Sequence, residues 1–174
     1  ANRWQMIDPH PRFKELAELR EGLQIGEAVR IFQNQDLLDL QVWFNLVWID
    51  PLFIEEDEFL KGLVKKGRGY TAEEKKNLLD KQEALLARVI PVHRELAQSG
   101  QIELTTTPFY HPILPLLCDS EIARECMPQT PLPRPFRRPE DALKQLRRGL
   151  DYFESVFGFR PKGLWPSEGS VSPE

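Results

Sequence analysis

The sequence predicts an α/β fold that is rich in helix and contains few parallel strands. Two short segments, 101–107 and 162–165, have the composition and boundaries of strands. Between them, apolar residues recur at helical spacing over 139–157 and predict a helix. A strand, a helix and a second strand form a β-α-β unit, in which the two strands lie parallel and in one sheet.

The N-terminal half of the chain is expected to consist mostly of helices. Pro11 suits the first turn of a short helix that Gly22 ends, and a second short helix is expected over about 27–33. The nearly continuous apolar residues of 35–48 predict a buried helix, because the run is long and Asn34 can cap it.

A surface connection and a long helix follow. The charged segment 55–68 contains glycines and predicts an exposed connection. Thr71 and Glu74 then match a capping box, in which each side chain binds a free backbone amide at the start of a helix. We expect one helix from there to about Gln98, kinked at Pro91.

The C-terminal half carries the predicted β-α-β unit. Along the first strand, Ile102 and Leu104 lie on one face and Glu103 lies on the other, before Pro108 ends the strand. The proline-rich segment 127–139 predicts an extended loop before the helix. After the second strand comes a tight turn of Pro, Ser, Glu and Gly. Sites in sheets of parallel strands are built at this end of the strands.

Composition and charge exclude several classes of protein. A net charge of −4 provides no broad basic surface, so nucleic acid is not expected as a partner. No apolar run is long enough to span a bilayer, and no membrane partner is expected. Cys118 and Cys126 are too few for a disulfide framework. We expect a cytoplasmic protein, although a signal peptide upstream of Ala1 would not be visible.

Glu168 is the first candidate for chemistry. It lies beside Trp165 in the turn that follows the second strand. From the pattern alone, Glu168 is either a nucleophile or general base held by a tight turn, or a surface glutamate in an ordinary Ser-Glu-Gly turn. In the first case, Trp165 would provide a flat apolar wall for a substrate ring.

Three further side chains could accompany Glu168. Glu103 points either into a polar interior or out to water, and two carboxylates on neighbouring strands would suit glycoside chemistry. Tyr110 and His111 follow the end of the first strand, where they either bind sugar faces and hydroxyls or pack in a covering loop. The histidines are too scattered along the chain to propose a metal site.

Two long strings carry a further signal. GQIELTTTPFYHPILPLL stands at 100–117 and GLWPSEGSVS at 163–172. They resemble the second and third signature regions of glycoside hydrolase family 57, in its amylopullulanase-like branch. QVWFNLVWID at 41–50 is similar to a helix of the same branch. The resemblance extends over most of the chain.

This resemblance implies part of an incomplete (β/α)7 barrel that acts on α-glucans with retention of anomeric configuration and without a cofactor. Carried over by position, Glu168 matches the catalytic nucleophile. Trp165, Glu103 and His111 match positions that line the donor subsite. We therefore expect an amylase or amylopullulanase type of hydrolase that binds an α-glucan or maltooligosaccharide, with Tyr110 as a further substrate-binding residue.

The chain departs from the family pattern because the first, fourth and fifth signature regions are absent, and with them the aspartate acid/base. We expect 1–174 to be a single partial catalytic domain, with 1–98 mostly helical and 99–174 carrying the motifs. Its partner would be the remainder of the same catalytic domain, and little activity is expected of the chain alone. Glu103 is kept as a binding residue, not as the acid.

Other functions remain open from the sequence. A transglycosylase, such as a 4-α-glucanotransferase or a branching enzyme, would use the same intermediate but pass the sugar to a hydroxyl. A non-catalytic carbohydrate-binding or interaction module would use Trp165, Tyr110 and the proline-rich loop as a surface. Metal-dependent deacetylases are a weaker alternative, because the required ligands are not visible.

Overall fold

The fold consists of helices joined by turns and extended segments. The computed structural model describes residues 3–173, so the ends of the domain expected over 1–174 lie outside the described residues. The α-helices of the described part are α1 (Pro11–Arg20), α2 (Ile25–Ile31), α3 (Asn34–Leu46), α4 (Pro51–Glu56), α5 (Glu58–Lys66), α6 (Ala72–Ala87), α7 (Val89–Gln98), α8 (Leu114–Cys118) and α9 (Pro139–Phe157).

The chain divides into two compact units, Ala1–Ala87 and Arg88–Glu174. The number of domains, expected to be one, stays a prediction. No described helix has both the length and the apolar composition needed to cross a membrane.

The first unit is built around a core on α3. Helices α1 and α6 both pack against α3. The buried side chains of this core are Phe13, Val42, Trp43, Leu46, Ile49, Leu60, Leu63, Tyr70 and Leu78. Each contributes roughly 1.5–3 kcal/mol of hydrophobic stabilisation when fully buried, so this cluster dominates the stability of the unit.

Polar contacts fix the loop between α5 and α6 to α3. The indole N–H of Trp43 donates to the carbonyl of Gly67 at 2.8 Å, and the Tyr70 amide donates to the buried carboxylate of Asp39 at 3.1 Å. The predicted capping box is confirmed, because the Thr71 amide donates to Glu74 Oε2 at 2.7 Å and the Glu74 amide to Thr71 Oγ1 at 3.1 Å.

The second unit is organised by α9, which packs against α7 and α8. Its buried face includes Ala142, Gly149 and Phe153. The predicted bounds of this helix are confirmed, with Pro139 in the first turn and Gly158 in a left-handed conformation after the last residue. The proline-rich segment that precedes it is irregular, as predicted.

The predicted α/β class is wrong. Residues 3–173 contain no strand, so neither the parallel strands expected at 101–107 and 162–165 nor a portion of a (β/α)7 barrel is present in the described part. In their place is one isolated parallel bridge between Thr106 and Leu164. The next bond of such a ladder would need an amide at residue 108, which is proline and has no N–H to donate.

Two helical predictions also need correction. The expected surface connection at 55–68 contains α5, which begins where Asp57 accepts from the amides of Phe59 and Leu60. The expected long helix is interrupted at Arg88, between α6 and α7. The cause is Pro91, because its ring clashes with the carbonyl four residues earlier and it has no N–H to bond there.

Candidate functional site

The isolated bridge joins the two strings that the sequence singled out. The Thr106 amide donates to the carbonyl of Gly163 at 3.1 Å, and the Trp165 amide donates to the carbonyl of Thr106 at 2.8 Å. After the bridge, the first segment continues to Tyr110 and His111, and the second segment continues through Trp165 to Glu168. The bridge therefore brings four of the five predicted site residues into one region.

Two glycines allow the backbone segments to approach closely. A Cβ at Gly163 would lie 3.0 Å from Thr105 Cγ2. A Cβ at Gly149 of α9 would lie 2.8 Å from the carbonyl oxygen of Thr107. A side chain at either position would push the bridged segments away from their neighbours.

Glu168 lies in a short 3-10 turn directly after Trp165 and Pro166. The turn is closed by hydrogen bonds of 3.0 Å from the amides of Gly169 and Ser170 to the carbonyls of Pro166 and Ser167. Glu168 itself has φ 54° and ψ 19°, in the left-handed region. This conformation costs a residue with a Cβ roughly 1–2 kcal/mol, so the surrounding turn must hold it.

His111 faces Glu168 and has the same unusual backbone conformation. Its Nδ1 lies 3.8 Å from Glu168 Oε1, and its φ is 56°. Within residues 3–173, His111 and Glu168 are the only non-glycine residues with positive φ. The separation is within ion-pair range when the imidazole is protonated, but it is too long for a hydrogen bond.

Both side chains of this pair are accessible from solvent. The Glu168 side chain is 69% exposed and that of His111 is 52% exposed. Two aromatic rings of the same region are also open, since Trp165 and Tyr110 are each 67% exposed. The site thus offers a carboxylate, an imidazole and two flat apolar faces to a ligand.

Helix α9 supports the loop that carries Tyr110 and His111. The Tyr110 amide donates to Gln145 Oε1 at 2.9 Å, and the Phe109 amide donates to the Gln145 carbonyl at 3.2 Å. The guanidinium of Arg148 lies 4.4 Å from the ring centroid of Phe109 and 5.1 Å from that of Tyr110.

Sequence reasoning missed this supporting face of α9. Gln145, Arg148 and Gly149 are three and four residues apart, a spacing that places them on one face of a helix. That spacing could have indicated a polar face, but not which loop it contacts. Ser167 was also missed: it is 1% exposed, and its Oγ has no hydrogen-bond partner within the described part of the chain.

Glu103 lies apart from the other predicted site residues. It is exposed and lines a hollow together with residues that include Phe159, Arg160 and Lys162, but none of the other four candidates. It precedes the bridge along the first segment, whereas His111 follows it. Within residues 3–173, no group of three or more His, Cys, Asp or Glu side chains could hold a metal ion.

The comparisons with known proteins bear on what this site does. The model of glycosyl hydrolase family 57 matches residues 10–174, which include both strings and the whole candidate site. No curated protein and no solved structure matches the chain. The family match supports glycoside hydrolysis or a related activity. Since it extends over far more than half of the sequence, the chain belongs to glycosyl hydrolase family 57.

Proposed function

We propose that this chain contributes the nucleophile, Glu168, to a retaining hydrolase of amylase or amylopullulanase type that acts on α-glucans. The observation that carries the proposal is the backbone conformation of Glu168. A glutamate occupies a left-handed position that glycine would adopt without strain, and the turn presents its carboxylate to solvent. Strain of this kind is concentrated at functional sites.

The reaction proceeds in two displacements. In the first, a Glu168 oxygen forms a bond to the anomeric carbon, the glycosidic C–O bond breaks, and the leaving oxygen takes a proton from an acid. In the second, the conjugate base of that acid removes a proton from water, the water oxygen bonds to the anomeric carbon, and the Glu168 carboxylate leaves. Two inversions give net retention.

The surroundings of Glu168 suit the role of a nucleophile. Its carboxylate is well solvated, and His111 stands 3.8 Å away. At this separation the imidazole lies beside the carboxylate that would attack the sugar. We propose that His111 holds Glu168 in position and also contacts the sugar.

The aromatic side chains suit a neutral sugar polymer. We propose that Trp165 and Tyr110, which both expose most of their surface, stack against the apolar faces of glucose rings. A chain with a net charge of −4 has no general attraction for anionic ligands, so an uncharged α-glucan or maltooligosaccharide is the preferred substrate class.

The proton donor must stand close to the nucleophile. In retaining enzymes the two carboxyl groups are about 5–5.5 Å apart. Glu103 lines a hollow with Arg160 and Lys162 that includes none of the other four candidates, so we do not propose it as the proton donor. The binding role that we propose for it rests on the family resemblance alone. We assign the proton donor to no described residue.

Replacing the nucleophile tests the proposal. In the full-length protein, Glu168→Gln removes the charge that attacks the anomeric carbon while keeping the size of the side chain. We expect kcat on a soluble α-glucan to fall at least about 10³-fold. The matched control is Glu95→Gln on the exposed surface of α7, which should retain normal turnover.

Near-normal turnover by Glu168→Gln would rule out the nucleophile assignment. The products of the unsubstituted protein on maltooligosaccharides distinguish the two reactions that share this intermediate. We expect shorter oligosaccharides from hydrolysis. Longer or branched products would instead identify a transglycosylase.

A further inference from the structure

A single residue of α9 holds two consecutive amides of the loop that faces Glu168. Gln145 accepts from the Phe109 amide through its backbone carbonyl at 3.2 Å and from the Tyr110 amide through its side-chain Oε1 at 2.9 Å. The residue is half-buried. The backbone and the side chain of one residue thus fix the loop in two directions.

Gly149 makes this double contact possible. Within an α-helix, the carbonyl of residue 145 also accepts from the amide of residue 149, so the loop must reach a carbonyl that already lies inside the helix. The space for it exists because residue 149 has no Cβ, which would lie 2.8 Å from the Thr107 carbonyl oxygen. Gln145 and Gly149 therefore form one docking position for the loop.

Arg148 restrains the side chains of the same loop. Its guanidinium lies over the rings of Phe109 and Tyr110, and its Nη2 is 3.4 Å from the Tyr110 hydroxyl. A cation over a ring face attracts the ring electrostatically. The backbone of the loop is thus held by Gln145, and the rings are held by Arg148.

The held loop leads directly to the side chain that faces Glu168. His111 follows Tyr110, takes a left-handed backbone conformation with φ 56° and donates its amide to the carbonyl of Pro108 at 2.8 Å. Its Nδ1 then stands 3.8 Å from Glu168 Oε1. Without the Gln145 acceptor, the Tyr110 amide loses its partner and the strained turn at His111 can relax.

We propose that Gln145 is a positioning residue for the nucleophile, which it affects through Tyr110 and His111. This inference rests on the proposed role of Glu168. It concerns geometry at the reacting carboxylate, where a displacement of about 1 Å costs roughly 10²-fold in rate.

The test uses two replacements that differ in one acceptor atom. In the full-length protein, Gln145→Leu removes the side-chain acceptor, whereas Gln145→Glu keeps an oxygen that can accept from the Tyr110 amide. We expect Gln145→Leu to lower kcat per active site about 10- to 100-fold, and Gln145→Glu to stay within about 3-fold of the unsubstituted protein. Gln129→Leu, on the exposed proline-rich loop, is the matched control and should change nothing.

A purely structural role predicts a different result. Active-site titration counts the folded molecules, so a variant that is only less stable keeps a normal kcat per site. Hydrogen exchange at the amide of Tyr110, whose acceptor is the Gln145 side chain, should accelerate in Gln145→Leu and not in Gln145→Glu. If Gln145→Leu does not fold, Gln145→Met provides a second side chain without the acceptor.

Two outcomes would overturn the inference: a normal kcat per site in Gln145→Leu, or equal losses in the Leu and Glu variants. Glu168→Gln measured alongside separates this failure from that of the proposed function. Loss of turnover in Glu168→Gln with normal turnover in Gln145→Leu removes only the role of Gln145. Normal turnover in Glu168→Gln removes both.

Discussion

At the scale of single residues, the site is marked by backbone conformation more than by burial. Glu168 and His111 both adopt left-handed conformations, at a combined cost of about 2–4 kcal/mol. That is a sizeable fraction of the roughly 5–15 kcal/mol by which a domain is stable. Their side chains are 3.8 Å apart, so the two strained residues are also the ones whose carboxylate and imidazole face each other.

The sequence identified these two residues but not their conformations. The Ser-Glu-Gly turn indicated a bend, and the strings at 100–117 and 163–172 indicated a family, which the family match confirms. The left-handed conformation at Glu168 could not be predicted, since that position in a turn normally takes glycine. Gln145 could not be predicted either, because its partners come from a loop 35 residues earlier.

A residue-scale prediction concerns Gly149, which is helical and buried in α9. Replacing a helix-interior glycine by alanine normally gains about 0.5–1 kcal/mol. Here the new Cβ would lie 2.8 Å from the Thr107 carbonyl oxygen, and such overpacking costs about 1–3 kcal/mol. We therefore expect Gly149→Ala to lower the free energy of unfolding in a denaturant titration.

The matched control is Gly62→Ala in α5, where a Cβ would meet nothing within 4 Å. This variant should be stabilised by about 0.5–1 kcal/mol. If Gly149→Ala were stabilised to the same degree, the close approach of α9 to the bridged segment would be refuted.

At the scale of elements, two helix boundaries were predictable from capping chemistry, but the cap expected at Asn34 is wrong, because Gln33 and Asp36 form the capping box of α3. The Thr71–Glu74 capping box is present as expected, and α9 begins at Pro139 and ends just before Gly158, also as expected. The α5 helix was missed because its charges, its glycine and the glycines that follow it are typical of a surface connection. Its buried Leu60 and Leu63, three residues apart, are the apolar face that should have indicated a helix.

Strands were not predictable from local pattern alone. A strand needs a hydrogen-bonded partner along its length. The alternation of apolar and polar residues in one segment does not reveal whether such a partner is present. Pro108 prevents the ladder from continuing past Thr106, which is where the segment makes its isolated bridge. The alternation of Ile102, Glu103 and Leu104 is therefore compatible with an extended, unpaired segment.

An element-scale prediction concerns the carboxylate that joins α1, α3 and the loop before α6. Asp39 is 1% exposed and accepts from Arg12 Nε at 2.9 Å, Gln35 Nε2 at 2.9 Å and the Tyr70 amide at 3.1 Å. Burial raises the pKa of Asp39, but these hydrogen bonds outweigh it and leave the pKa below its ordinary value.

Because its pKa is lowered by folding, Asp39 stabilises the fold above the ordinary carboxyl pKa, and this contribution is lost as the pH falls through the folded-state pKa. We expect Asp39→Asn to lose about 1.5–3 kcal/mol of unfolding free energy at pH 7. The difference from the unsubstituted protein should shrink in acid below the ordinary carboxyl pKa.

Denaturant titrations at neutral and acidic pH measure this difference. Asp80→Asn is the matched control, since its pair with Lys76 on α6 is exposed and should contribute little to stability at either pH. A loss in Asp39→Asn that is equally large at both pH values would contradict a role for the ionised carboxylate.

At the scale of the whole molecule, the sequence predicted the family correctly and the fold class incorrectly. Membership followed from two long strings in order, and the family match confirms it. The fold class followed from strand patterns and from what the resemblance implied, and it is wrong for the described residues, which are helical with irregular segments. The candidate site depends on one bridge and on the α9 face, not on a sheet edge.

The central claim is that Glu168 forms a covalent bond to the sugar. The most direct measurement is mass spectrometry of the full-length protein treated with a 5-fluoro glycosyl fluoride of the α-glucan series, whose glycosyl-enzyme forms faster than it breaks down. We predict one sugar adduct, on the peptide that contains Glu168, and none in Glu168→Gln. An adduct on a different carboxylate, or turnover of the reagent with no adduct at all, would contradict it.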